Sequence, residues 1–120
     1  MTQEIFNKWL DKIITKERPV SGIIAYYFGI IETASGYETY LIGSKEFDED
    51  DEDWACNVDF EPADKYLNIG QATTEWQTIL EQAKMLIKNY LLTENCKNSF
   101  LGQAKAIATG FDGGDLHLIK

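Results

Sequence analysis

The chain has 120 residues, 44% of them apolar and 26% charged, which is one domain of ordinary globular material. That length excludes separate catalytic and cofactor domains. Acidic residues number 20 against 11 basic ones, leaving a net charge of −9. Such a surface repels phosphate backbones and anionic lipid headgroups, so the charge argues against nucleic acid and membrane partners and favours a basic protein.

The segment Thr2 to Lys16 has helical spacing. Ile5, Phe6, Trp9, Leu10, Ile13 and Ile14 recur at steps of three and four and share one face, with Thr2 as N-cap and Pro19 marking the stop. Gly22 to Thr33, GIIAYYFGIIET, is rich in β-branched and aromatic residues and too continuous for a one-sided strand. It reads as a central strand covered on both faces, with Tyr26, Tyr27 and Phe28 packed under the helices. Ala34-Ser35-Gly36 signals a turn, and Tyr37 to Gly43 completes a hairpin.

Glu46 to Asp53, EFDEDDED, packs like charges too closely for a regular element and reads as a solvated loop. In Trp54 to Phe60, the residues Trp54, Cys56, Val58 and Phe60 alternate with Ala55, Asn57 and Asp59, the period of a half-buried strand ended by Pro62. Tyr66 to Ile69 is a short apolar piece, either a strand or a packed loop. Thr74 to Leu92 is the strongest helix signal, with Thr74 and Gln77 fitting a capping box and Trp76, Ile79, Leu80, Ala83, Leu86, Ile87, Tyr90 and Leu91 on one face. Gln103 to Thr109 reads as a strand, although its alanines also allow a helix closed by Gly110. Phe111-Asp112-Gly113-Gly114 supplies turn residues, and Leu116 to Ile119 makes a last strand. The order predicts a single α+β domain over residues 1–120: an antiparallel sheet of about four or five strands with two amphipathic helices packed on it.

Few residues suggest chemistry. His117 is the only imidazole, and neither Cys56 nor Cys96 stands in a nucleophile context beside it. The two cysteines and one histidine lack zinc-site spacing. The glycines of Gly110 to Gly114 lack the Lys-Ser/Thr of a phosphate loop and fit a hairpin turn better. Asp48, Asp50, Asp51 and Asp53 offer oxygens, but the turn glycine and the bidentate glutamate of a calcium loop are missing. No enzyme activity, metal or cofactor is therefore expected. The acidic run is left with two readings, a loop that merely confers solubility or a docking surface for a basic protein. On the docking reading the contact residues are Asp48, Glu49, Asp50, Asp51, Glu52, Asp53 and Trp54. Trp54 would then serve as an aromatic anchor, unless it packs into the core.

The N-terminus, Met1-Thr2-Gln3-Glu4, has no apolar leader, and the run Gly22 to Ile31 is too short to span a membrane. With only two cysteines, the reading is a soluble cytoplasmic protein with reduced thiols, a Cys56–Cys96 disulfide being the alternative. A short, acidic, single-domain α+β profile without catalytic motifs, most individual in GSKEFDEDDEDWACNVDFEP from Gly43 to Pro62, resembles bacterial immunity proteins. These are cytoplasmic antidotes that bind and block a cognate polymorphic or contact-dependent toxin. The resemblance implies a basic toxin partner, a nuclease among the candidates, with Asp48 to Asp53 imitating a phosphate track. Two other readings stand beside it. One is a small enzyme or ligand-binding domain using an aromatic pocket lined by Tyr26, Phe28, Tyr40 or Trp54. The other is a subunit of a homo-oligomer, such as a symmetric dimer.

Overall fold

A computed structural model describes all 120 residues. In chain order the elements are α1 (Gln3–Lys16), β1 (Ala25–Thr33), β2 (Gly36–Ser44), a 3-10 turn (Glu52–Cys56), β3 (Tyr66–Gly70), α2 (Trp76–Leu91), a short α3 (Glu94–Lys97), β4 (Ala106–Phe111) and β5 (His117–Leu118). The fold is α+β, as the sequence predicts. The five strands lie in the order β3-β2-β1-β4-β5. Every neighbouring pair is antiparallel except β1 and β4, which run parallel with Ala25 opposite Ala106 and Gly29 opposite Gly110. The antiparallel sheet expected from the sequence thus carries one parallel pairing. The chain returns through α2 and α3 before entering β4, and a crossover of that length lets the new strand lie parallel to β1.

The helices cover one face. The Thr2 hydroxyl caps α1 by accepting from the Ile5 amide at 3.2 Å, and Glu17 turns extended to close it. Phe6, Trp9, Leu10 and Ile13 of α1 meet Leu86, Ile87 and Tyr90 of α2 over Tyr26, Phe28 and Leu41. Each such side chain, fully buried, stabilises the fold by about 1.5–3 kcal/mol. A second cluster carries the layer along α2, where Ile79, Leu80 and Ala83 pack on Ile30, Tyr37 and Ile69. β1 is central and buried along most of its length, as its continuous apolar run implies.

Four local expectations fail. Trp54 to Phe60 is not a strand. The Asp51 carboxylate accepts from the Asp53 amide at 3.0 Å and starts a 3-10 turn, which the Asn57 amide closes on the Trp54 carbonyl. Side-chain capping by aspartate outcompetes the weak alternation. Only Phe60 pairs, as an isolated bridge to Gly43. Tyr27 does not lie under the helices, because adjacent strand residues point to opposite faces and Tyr26 takes the helix side. The Thr74 capping box does not form, since α2 begins at Trp76 with Glu75 at the cap and no side-chain bond there. Trp76 is 52% exposed, with one edge-on contact to Phe111. Finally, the strand expected over Gln103–Thr109 begins at Ala106, after a series of turns.

Candidate functional site

The second face of the sheet has no α-helix on it. Its floor beside the start of β1 is shallow, because Ala25, Ala106 and Ala108 stand where larger side chains would otherwise project. Trp54 fills that space with Tyr27 and Ile42, and its indole meets the Phe47 ring edge-on at 5.5 Å. Trp54 is 3% exposed. Trp54 is therefore a core residue of the open face rather than an exposed anchor. It fastens the 3-10 turn, and with it the end of the acidic run, onto the sheet.

Beside this plug lies a cleft of about 630 Å³. Tyr27 and Tyr40 form its centre, with ring centroids 6.0 Å apart and planes nearly perpendicular. The Tyr40 ring crosses the sheet from β2 and lies over Gly29 of β1, where any Cβ would overlap it. Its hydroxyl then reaches the Asp112 carboxylate in the β4–β5 turn. The Tyr27 hydroxyl donates to the Gly110 carbonyl at 2.9 Å. Burial is the main reason both hydroxyls lose protons only well above the usual tyrosine range, with the Asp112 charge adding to it. Both rings are thus neutral hydrogen-bond donors at physiological pH.

The rim is made by two loops and the entry to β3. Glu52, Asp53, Cys56 and Val58 line one side, and Asp112 with the Gly113–Gly114 turn lines another. The Glu52 carboxylate accepts from the Leu116 amide at 3.0 Å, so the acidic run and the β4–β5 loop brace each other. On the third side, the Lys65 ammonium sits 5.2 Å from the Tyr40 centroid and 5.4 Å from that of Tyr66, and it pairs with Glu61 at 3.0 Å. Three carboxylates thus face the cleft against one ammonium that is already paired.

The expected docking residues fall into two groups. Glu52 and Asp53 line the cleft. Asp48, Glu49, Asp50 and Asp51 are exposed on the loop before it, where the Asp48 carboxylate accepts from the Asp50 amide at 2.9 Å. Of the aromatic residues expected to line a pocket, Tyr40 does so. Tyr26 and Phe28 lie in the helix-side core and Trp54 in the plug. The sequence reading missed Tyr27, Tyr66, Lys65, Cys56 and Asp112. Strand alternation carries the signal for Tyr27, whereas Asp112 reads only as a turn residue.

The other polar candidates are dispersed. Cys56 is an exposed free thiol and Cys96 a buried one. Burial chiefly raises the thiol pKa of Cys96. His117 lines a separate groove with Trp76 and Leu80, so the histidine and the cysteines form no dyad. No group of three or more His, Cys, Asp and Glu side chains is placed to hold one metal ion. No helix is long and apolar enough to cross a membrane. No protein-family model matches the chain, and neither a curated protein nor a solved structure matches it.

Proposed function

We propose that this chain is a non-catalytic, protein-binding inhibitor, an immunity protein that neutralises a basic toxin by covering its working surface. One observation carries the reading: the acidic run and the carboxylates of the cleft occupy the same sheet face, the one the helices leave open. A nuclease is the toxin class that fits best, because a surface built for phosphates attracts a carboxylate array of this density. The long-range field of a −9 domain speeds the encounter, and the open face then supplies the contact.

The test is recovery of the tagged protein from its source cell at low salt, followed by identification of what comes with it. The expected result is one basic protein in near-equal amount, released as salt shortens the screening length from about 10 Å at 0.1 M to about 3 Å at 1 M. Recovery of the chain alone, or only with further copies of itself, would overturn the reading. A second reading rests on the cleft's size. A volume of about 630 Å³ falls in the ordinary range of small-ligand sites, and the tyrosine walls suit a cationic or aromatic ligand.

A further inference from the structure

The cleft has a definite chemistry. Its floor is aromatic, two of its three carboxylates are held in place, and its single ammonium is already paired. Glu52 and Asp112 each commit one oxygen to a neighbour, Leu116 and Tyr40 respectively, which fixes their direction and leaves the second oxygen for an incoming donor. The chain itself shows what the rings accept, since Lys65 lays an ammonium over both Tyr40 and Tyr66. Rings within about 6 Å of a cation attract it through their quadrupole. An anionic ligand meets three carboxylates here, and a wholly apolar one leaves them without partners.

We propose that this cleft seats an arginine or lysine side chain presented by the basic partner, between flanking apolar residues. The cationic head lies among Glu52, Asp53 and Asp112, and the stem runs over Tyr66 and Val58, which are 48% and 50% exposed. This inference rests on the protein-binding reading and deepens it. It makes the cleft the specific contact and Asp48 to Asp51 a steering surface. Charges held at a rim mainly govern the encounter, whereas charge pairs in a partly closed aromatic cleft govern retention.

The probe is the tripeptide acetyl-Leu-Arg-Leu-amide, titrated into the isotope-labelled full chain and followed by backbone amide NMR. Its counterpart carries citrulline, which keeps the shape and loses the charge. The expected result is movement of the Cys56, Val58, Tyr66 and Gly113 amides with the arginine peptide and little with the citrulline one. Glu52→Gln with Asp112→Asn keeps acceptor oxygens for Leu116 and Tyr40, so the fold stays intact. That double variant should weaken the arginine peptide about fivefold to thirtyfold, the equivalent of roughly 1–2 kcal/mol for two exposed charge pairs. An unchanged spectrum of the free variant confirms that the fold survives.

Shifts confined to Glu46–Asp51 would overturn the cleft as the seat while sparing the protein-binding reading. Equal shifts with both peptides would overturn the cationic occupant. No shift at any amide would overturn the proposal as a whole. The protein-binding reading falls separately, if purification from the source cell recovers no basic protein.

Discussion

The two faces of one sheet are built by different means. On the helix side, Tyr26, Phe28 and Leu41 are sealed under α1 and α2, within a cluster of 14 buried residues. On the open side, six buried residues form the corresponding cluster, and a 3-10 turn with its loop is the cover. The helix side is a conventional amphipathic layer whose stability comes from area removed from water. The open side is held by one tryptophan on an alanine floor and by hydrogen bonds that brace two loops. That contrast separates the face that holds the molecule together from the face we propose meets a partner.

Substitutions on the two faces test the contrast. Phe28→Ala should cost the most, about 3–5 kcal/mol, because it opens a cavity in the largest cluster. Denaturant titration should show the whole chain unfolding earlier in one transition. Trp54→Ala should fall at the low end of the same range, about 3 kcal/mol, since the covering loop can relax into the space left behind. Hydrogen exchange in that variant should rise across residues 46–60 while α1 and α2 stay protected. Equal loss of protection in the helices would show that the open face is no lesser core.

Alkaline pH probes both faces together. Burial raises the tyrosine pKa values of Tyr26 and Tyr90 on the helix side and Tyr27 on the open side. For Tyr90, the hydrogen bond to Asp11 adds to the effect. The folded chain therefore holds these protons more tightly than the unfolded chain, whose tyrosines titrate near pH 10. Stability should be intact below that pH and fall as pH rises through it, by at most about 1.4 kcal/mol per pH unit for each such tyrosine. Urea midpoints measured between pH 9 and about 11.5 would show it, and a flat profile would contradict the burial of these hydroxyls. Tyr40→Phe removes only the hydroxyl that reaches Asp112, and should cost about 1 kcal/mol with the strand pairing unchanged. The smallest effect belongs to Asp48, Asp50 and Asp51. Replacing them with asparagine should leave stability within about 0.5 kcal/mol and slow association with a basic partner.

The same division explains what could be read from the amino acids. The α1 and α2 stripes, the buried β1 run and the β1–β2 hairpin are local patterns, so they stand in the sequence as periodicity and turn residues. The parity of β1 also held the Tyr26–Tyr27 division, although the run looks uniformly apolar. The open face depends on fits between distant residues. Trp54 on Ala25, Ala106 and Ala108, Tyr40 over Gly29, and Glu52 on the Leu116 amide join positions that only the assembled sheet brings together. The alternation in Trp54 to Phe60 misleads because the Asp51 side chain captures the Asp53 amide and begins a turn there. The carboxylates of the cleft were legible as charge, but not as members of a cleft.

We propose the open face as the binding face. Two variants with the same change in net charge separate it from a general attraction to basic proteins. One replaces Glu52 and Asp112 by glutamine and asparagine on the open side. The other replaces Glu4 and Glu81 by glutamine on the exposed sides of α1 and α2. Each is purified from the source cell at low salt beside the unaltered protein. The basic partner should be recovered in clearly smaller amount with the open-side variant and in unchanged amount with the helix-side one. Loss with the helix-side variant, or equal retention by both, would contradict the proposal.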